Sequence, residues 1–347
     1  MMNQTKLMAL LGLLLIASSL TLFVGAANLS AQQVFALLFS FSDSDFVIHQ
    51  YRLPRMLLAI GVGAGLGLSG VLVQGVIRNP LASPDLMGIS AGAGLAATAC
   101  LVLYPNAPVA MLPMVAMAGG LLAAGFIAVL AYWSKPTPAR LALIGVAVSA
   151  FLASGIDFLL IVNPIEINTA MVWLTGSLWG RNWQQVPFIW SALLLLLPLA
   201  FWLAWRLDVM GLGEESATTL GTKPRQIQIL ALIAAVLLAS ISVSVAGTIS
   251  FVGLLAPHLA RLLFGHNHKL LIPASATVGA LLVICADGLA RGLQPPIELP
   301  AGGLTSVISA DGLARGLQPP IELPAGVLTS VIGAPYFIFL LYRYRGW

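Results

Sequence analysis

The sequence predicts an all-α, polytopic membrane protein of about ten transmembrane helices. Apolar residues make up 59% of the 347 residues and charged residues only 8%, whereas soluble domains carry about 25% charged residues. Apolar runs long enough to cross a hydrocarbon core of about 30 Å recur along the whole length. Short turns containing glycine and proline separate these runs. We therefore expect residues 1–347 to form one transmembrane domain.

The first half of the chain is expected to hold five spans. Residues Lys6–Ala27 have the pattern of a signal peptide, but because further spans follow, we interpret them as an uncleaved first helix. The second span opens at Tyr51-Arg-Leu-Pro-Arg55, where proline is tolerated because it lies at a helix start. The third contains the small residues Ala91–Ala97, and the fourth ends near Trp133. The fifth contains Asp157, an acid well inside an apolar run.

Glycine is frequent in the second span, and residues 65–70 formally match the dinucleotide-binding pattern G-x-G-x-x-G. That fingerprint requires a strand before it and a helix after it. Here the pattern lies inside an apolar helical run. Small residues at this spacing allow helices to pack closely in membranes, and we expect these glycines to serve that purpose.

The second half is expected to hold five more spans. A loop over Asn163–Gln185 precedes them, and its Trp173, Trp179, Trp183 and Arg181 suit a membrane interface. The eighth span should be short because glycine and proline interrupt Gly247–His258. The other expected boundaries are the sixth span ending at Trp205, the seventh over about Ile227–Val245, the ninth after Lys269, and the tenth ending at Tyr342.

The polar stretch Arg206–Arg225 interrupts this apolar half. Its centre, Gly213–Gly221, is expected to be a short helix, with two acids in the first turn and Gly221 as a C-cap. We expect a small apolar face formed by Met210, Leu212, Ala217 and Leu220. Such a helix is either a surface turn between two spans or a coupling helix that docks on another protein, because two turns are marginal alone.

The distribution of basic residues predicts the orientation in the membrane. With a cytoplasmic N-terminus and ten spans, eleven basic residues lie inside and five outside, which satisfies the positive-inside rule. The Glu214–Gly221 helix is then cytoplasmic. The five outer residues are all arginine, which suits bidentate recognition of carboxylates. They are Arg52, Arg55, Arg181, Arg291 and Arg315.

Several other functional classes find little support. None of the lysines follows glycine as a P-loop requires, so ATP hydrolysis would need another polypeptide. His266 and His268 flank Asn267 in a basic segment that we interpret as a solvated loop, and the sequence predicts no metal site. An ion-coupled secondary transporter is the alternative function, and it would normally use ionisable groups at the membrane midplane. Asp157 is the main candidate for such a group.

Several motifs along the chain belong together. They are Tyr51-Arg-Leu-Pro-Arg55, Arg78-Asn-Pro-Leu-Ala-Ser-Pro-Asp85, Gly213–Gly221, Ile249-Ser-Phe-Val-Gly253 with Pro257-His258, and the closing Glu-Leu-Pro-Ala-Gly with Gly333-Ala-Pro335. Through these motifs the chain resembles the FecCD-type permeases, which are membrane subunits of ABC importers for iron–siderophore complexes, haem and vitamin B12. Members that import ferric dicitrate are the most similar, and the resemblance covers nearly the whole chain.

The resemblance implies a type II ABC importer permease fold in the bacterial inner membrane. It implies a second permease subunit, identical or related, two ATP-binding subunits and a periplasmic substrate-binding protein. ATP and Mg would bind the partner ATPase, and we expect this chain to bind no cofactor and to catalyse no reaction. Substrate would move by alternating access from periplasm to cytoplasm.

The resemblance also implies roles for particular residues. An ATPase-coupling role falls on Gly213, Glu214, Glu215, Ala217, Leu220 and Gly221. Docking of the binding protein falls on the outer arginines Arg52, Arg55 and Arg291, with Arg315 as the counterpart of Arg291 in a repeated segment. A cytoplasmic gate region falls on Thr137, Pro138 and Ala139.

That repeated segment is a tandem duplication. Residues 286–309 and 310–333 differ at only two positions, Gly303/Val327 and Ser309/Gly333. Two copies are too few for a solenoid, and the unit is a helix end, a Pro-Pro turn and a helix start rather than a complete span. Each copy pairs an aspartate with an arginine four residues later, a spacing that allows an ion pair on one helix. We expect copy one, with Asp287 and Arg291, to end the ninth span.

Overall fold

The computed structural model describes residues 2–25, 29–39, 46–108, 110–133, 138–163 and 167–292. Regular structure in these residues is helical, as the composition predicts. The α-helices are α1 (Met2–Thr21), α2 (Ala31–Phe39), α3 (Leu53–Ile77), α4 (Ile89–Leu103), α5 (Met111–Trp133), α6 (Pro138–Val162), α7 (Ile167–Leu174), α8 (Val186–Met210), α9 (Glu214–Thr219), α10 (Pro224–Ala246), α11 (Val252–Phe264) and α12 (His268–Gly292). A π-helix, Phe46–Arg52, leads into α3, and a 3₁₀ helix, Pro84–Met87, precedes α4.

The first nine expected spans each correspond to one helix. Seven of the described helices are long and apolar enough to cross a membrane, whereas α4 and α11 are shorter apolar helices. A full crossing takes roughly 20 residues, so the short eighth span is confirmed as α11. The shortness of α4 was not predicted. The tenth expected span lies outside the described residues.

Two of the α-helices were not predicted. α2 lies in the segment between the first two spans, and α7 lies inside the expected loop Asn163–Gln185. The turn after α7 is tied to the end of α10, because the Ser177 amide donates to the Ala246 carbonyl over 2.7 Å. The Thr248 hydroxyl donates to the Leu174 carbonyl in the same region. These bonds satisfy backbone groups that the end of a helix leaves open.

α3 is the central helix of the described bundle, and it packs against α8, α10, α11 and α12. Its glycines make this packing possible. A Cβ atom on Gly63 would overlap the backbone of Gly279, and one on Gly67 would overlap the backbone of Ser275. The two pairs stand four residues apart on each helix, so small residues of α3 and α12 face one another over a full turn. The expected packing role of these glycines is confirmed.

α11 begins beside the middle of α3 rather than beside its end. A Cβ atom on Gly253 would lie 3.3 Å from the Leu66 carbonyl oxygen and 2.7 Å from Cδ of Pro84. The chain reaches this point through Phe251, whose φ of 68° is unusual for a residue other than glycine. Irregular backbone inside a membrane is tolerated where other parts of the protein enclose it.

Candidate functional site

The expected short helix is present as α9, Glu214–Thr219. It ends in a Schellman motif, in which the Gly221 amide donates to the Thr218 carbonyl over 2.9 Å and the Thr222 amide donates to the Ala217 carbonyl over 3.0 Å. Gly221 has a φ of 77°, a left-handed conformation that glycine adopts without a steric penalty. The expected C-terminal cap at Gly221 is therefore confirmed.

α9 rests on α8 and α10 through a small apolar contact. Ala217 and Met210 are fully buried, whereas Leu212 and Leu220 are 68% and 55% exposed. The expected four-residue apolar face is thus wrong in part, because the fold uses only two of its members. Glu215 is also exposed. Glu215 of α9 and the flanking Leu212 and Leu220 therefore face away from the bundle.

The outer arginines lie at the opposite end of the bundle. Arg55 stands at the start of α3, and Gly75, which adjoins Leu207 and His268, stands near its end. With a rise of about 1.5 Å per residue, these two points are separated by about 30 Å. We call the two ends the arginine end and the α9 end.

At the arginine end, Arg55 and Arg291 share the carboxylate of Asp287. Nε and Nη2 of Arg55 donate to Oδ1 of Asp287 over 3.0 and 2.8 Å, and Nε of Arg291 lies 3.1 Å from Oδ2. The predicted Asp287–Arg291 ion pair, four residues apart on α12, is confirmed. The side chains of Arg55 and Asp287 are each 1% exposed, so this cluster is internal to the fold.

The end of α1 completes the arginine cluster. Nη1 of Arg52 donates to the Leu22 carbonyl over 2.6 Å, and Nη1 of Arg291 donates to the Val24 carbonyl over 3.0 Å. Leu22 and Val24 follow the last residue of α1, Thr21, so their carbonyls accept charge-assisted hydrogen bonds just beyond the helix. Arg52 and Arg291 are only 2% and 3% exposed. These arginines therefore hold α1 against α3 and α12, and their expected docking role stays a prediction, as does that of Arg315, which lies outside the described residues.

Arg181 differs from this cluster. It lies in the turn between α7 and α8, beside the exposed Trp179 and Trp183. Its Nε is buried and has no hydrogen-bond partner among the described residues, and burial lowers the pKa of its guanidinium. The sequence placed Arg181 with the outer arginines but gave it no docking role, because its lack of a carboxylate partner among the described residues is visible only in the fold.

The other candidate positions are less informative. Pro138 and Ala139 open α6, whereas Thr137 lies outside the described residues, so the gate region stays a prediction. Asp157 is exposed on the last turns of α6. His268 is not in a solvated loop as expected, because it is the first residue of α12 and its ring contacts Asp208 of α8. Neither periodicity nor motif spacing could have paired these two residues.

Comparison with known proteins agrees with this architecture. The chain matches the FecCD transport family over residues 13–311 and 303–343. It is 42% identical over 330 residues to the Fe(3+)-citrate import system permease protein YfmE of Bacillus subtilis, covering 95% of this chain and 92% of that one. It is 44% identical over 300 residues to the Fe(3+) dicitrate transport system permease protein FecD of Escherichia coli, covering 86% of each.

A solved structure is also similar over nearly the whole length. It is described as an inward-facing conformation of a metal-chelate type ABC transporter, with a TM-score of 0.76 and 30% sequence identity, and the match covers 98% of this chain and 99% of that one. Both sequence and fold thus match membrane subunits of ABC importers. This chain, a bundle of membrane-spanning helices with a short exposed helix at one end, belongs to the FecCD transport family.

Proposed function

We propose that this chain is a permease subunit of an ABC importer that moves an iron chelate of the citrate type into the cytoplasm by alternating access. Two relatives above 40% identity are named as permeases for Fe(3+)-citrate and Fe(3+) dicitrate. A relative named as an iron(3+)-hydroxamate permease is 38% identical. The higher identities favour citrate as the chelating group.

The observation that carries the proposal is the exposed face of α9. Leu212 and Leu220, which flank α9, are exposed at the end of the bundle where backbone hydrogen bonds join α9 to α8. Exposed apolar side chains beside an acidic residue suit a partner protein. α9, with its flanking Gly213 and Gly221, would seat in a cleft of the ATP-binding subunit, and movement of that subunit would displace α8 and α10.

The assembly would contain a second permease subunit, two ATP-binding subunits and a periplasmic substrate-binding protein. ATP and Mg would bind the ATP-binding subunits, so this chain would be a transport subunit and not itself an enzyme. The membrane would be the bacterial inner membrane, with both termini in the cytoplasm, as the distribution of basic residues predicts. The arginine end would then face the periplasm and the binding protein, and Thr137–Ala139 would lie near the cytoplasmic gate.

A reconstituted transporter tests this proposal. The chain is purified with its co-expressed partners, placed in proteoliposomes with ATP inside, and supplied with radiolabelled iron as the citrate, hydroxamate or catecholate chelate. We expect ATP-dependent uptake of ferric citrate that requires the binding protein. Uptake that persists without ATP and follows an imposed ion gradient would instead support a secondary transporter and overturn the proposal.

Substitution of the exposed Leu220 tests the coupling role of α9 separately from the choice of substrate. Leu220→Glu places a charge at a side chain that is exposed in the isolated chain, so the fold should be retained while ATPase contact is weakened. His266→Ala is the matched control, because His266 is exposed near the same end but lies outside α9. Normal ATP-driven uptake by Leu220→Glu would contradict the coupling role.

A further inference from the structure

Asp208 and His268 join the segment that carries α9 to the beginning of α12. The backbone amide of His268 donates to both carboxylate oxygens of Asp208, over 3.1 and 3.3 Å. Nδ1 of the imidazole lies 2.5 Å from Oδ1 of the same carboxylate. With an ionised carboxylate, which can only accept, the hydrogen in this contact is on Nδ1. The two residues are therefore held by three hydrogen bonds across 60 positions of sequence.

The negative charge of Asp208 is placed favourably for the dipole of α12 but unfavourably for that of α8. An acid in the last turn of α8 is unfavourable with respect to the dipole of that helix, whereas the same charge at the first turn of α12 is favourable. Asn267 accepts from the Lys269 amide over 2.9 Å, so the start of α12 already has a local cap. Asp208 adds a second cap from another helix and so fixes where α12 begins relative to α8.

The imidazole also touches α3. A Cβ atom on Gly75 would lie 3.0 Å from Nε2 of His268 and 3.3 Å from Cδ1 of Leu207. The missing side chain at Gly75 therefore leaves the space that the ring occupies. The His268 side chain is only 13% exposed. Helices α3, α8 and α12 thus meet at one well-packed point.

A continuous series of backbone bonds connects Asp208 with α9. The Gly211 amide donates to the Asp208 carbonyl over 3.1 Å, the Gly213 amide to Met210 over 3.1 Å, and the Ala217 amide to Gly213 over 3.0 Å. These bonds link α9 to the last turn of α8, so we expect a displacement of α9 to shift the Asp208 carboxylate.

The opposite end of α12 carries Asp287 and Arg291 of the arginine cluster. α12 has 25 residues, with Pro273 in its second turn, and at about 1.5 Å per residue it spans at most about 37 Å. α12 thus connects a junction beside α9 with the buried ion pairs at the arginine end. A single helix with fixed contacts at both ends can transmit a displacement along its axis.

We propose that the Asp208–His268 pair is a positioning pair that transmits the movement of α9 to α12, and through α12 to the arginine end. This inference rests on the proposed coupling role of α9. Neither residue would touch substrate or ATP. Both would act by keeping α8 and α12 in a fixed relative position. Loss of the pair is expected to separate ATP hydrolysis from transport.

Two substitutions of His268 test the pair while leaving Asp208 and the His268 amide in place. In His268→Asn the side-chain amide nitrogen takes the place of Nδ1, so the bond to Asp208 is retained. In His268→Gln the nitrogen takes the place of Nε2, so that bond is lost. We expect His268→Asn to transport nearly as the original chain does. We expect His268→Gln to lower the number of substrate molecules moved per ATP by about tenfold, a typical size for coupling between sites.

The measurements are uptake, ATP hydrolysis and thermal stability of the same reconstituted complexes. A structural role alone would lower stability and both activities together, leaving uptake per ATP unchanged, and that result would overturn the proposal. Equal behaviour of His268→Asn and His268→Gln would also overturn it. If His268→Gln does not assemble, Asp208→Asn tests the pair instead. An amide at position 208 keeps one acceptor oxygen for the His268 backbone amide. Unchanged uptake per ATP in Asp208→Asn would count against the proposal.

Failure of the proposal for the Asp208–His268 pair can be distinguished from failure of the proposed function. If the original chain shows no ATP-driven uptake, or if Leu220→Glu has no effect, the coupling role of α9 fails. If Leu220→Glu uncouples the transporter while His268→Gln retains full uptake per ATP, only the positioning role of the pair fails. His266→Ala serves as the control, since its exposed imidazole lies two residues away.

Discussion

The two ends of the bundle treat their polar side chains in opposite ways. At the arginine end, Arg52, Arg55 and Arg291 are at most 3% exposed and are bonded to a carboxylate or to carbonyls of the chain. At the α9 end, Leu212 and Leu220 are exposed by more than half. The sequence led to a docking role at both ends. Among the described residues, the α9 end presents exposed leucines, whereas these three arginines are bonded within the chain.

This difference shows what a charge pattern can and cannot reveal. The positive-inside rule identified the arginines as exceptions, but an exception is explained equally well by a partner protein or by an internal carboxylate. Arg55 and Asp287 are separated by 232 positions, and no local pattern predicts their contact. Substitutions at the arginine end should therefore affect stability first, whereas those at the α9 end should affect coupling first.

The largest stability effect is expected for Asp287→Ala. Removing this carboxylate leaves the buried guanidinium groups of Arg55 and Arg291 without their ion-pair partner, which typically costs about 3–5 kcal/mol. The thermal midpoint of the detergent-purified protein, or its yield in membranes, measures this loss. Asp157→Ala is the control, because Asp157 is exposed. Equal stability of the two variants would show that the cluster does not hold α1 in place.

A smaller loss is expected for Gly221→Ala. The left-handed φ of 77° is unfavourable for a residue with a Cβ atom by about 1–2 kcal/mol, and this strain falls on the cap of α9. The protein should still assemble, whereas ATPase stimulation by the loaded binding protein should fall. Gly125→Ala is the matched control, since a Cβ atom there meets nothing within 4 Å. A variant that is less stable but keeps normal ATPase stimulation would contradict the coupling role of the α9 cap.

Leu212→Glu should leave stability unchanged within about 0.5 kcal/mol, because the side chain is exposed in the isolated chain. Its effect should appear only in the complex, as weaker association with the ATP-binding subunit in a pull-down from detergent. Leu262→Glu is the control for surface charge, since Leu262 is also largely exposed but lies on α11. Equal retention of the ATP-binding subunit by both variants would remove α9 from the interface.

The smallest stability effect is expected for Arg181→Gln. The buried Nε of Arg181 has no partner among the described residues, so removing the charge should cost little or nothing. If Arg181 is the cation that meets an acidic side chain of the binding protein, docking should weaken and become less sensitive to salt. An affinity titration at two ionic strengths measures this. Unchanged affinity and unchanged salt dependence would exclude Arg181 from docking.

The sequence repeat supplies a prediction about uptake. The two family matches, residues 13–311 and 303–343, overlap inside the repeat. Deleting residues 310–333 should preserve or improve uptake, and deleting 286–309 gives nearly the same product. Loss of uptake after the deletion, in a system where the full chain is active, would mean that the duplication is functional.

The sequence predicted the parts of the fold that depend on composition and local chemistry. The helical membrane class, the short α11 and the glycine cap of α9 follow from hydrophobicity, from glycine and proline, and from helix-end rules. Features that depend on contacts between distant helices were missed. The shortness of α4, the burial of the arginines, and the pairing of Asp208 with His268 all arise from tertiary packing, which hydropathy does not contain.

The glycine contacts of α3 have a consequence for permeability. Gly63, Gly67 and Gly70 bring the backbone of α3 directly against those of α12 and α11, and backbones in van der Waals contact leave no volume for a water molecule, which needs about 10–15 Å³ accessible to a probe. Water, and ions that need it, therefore have no room at these three contacts. If the chain transports a chelate as proposed, the chelate would pass along the outside of this packed region, on a surface that a second subunit would help to enclose.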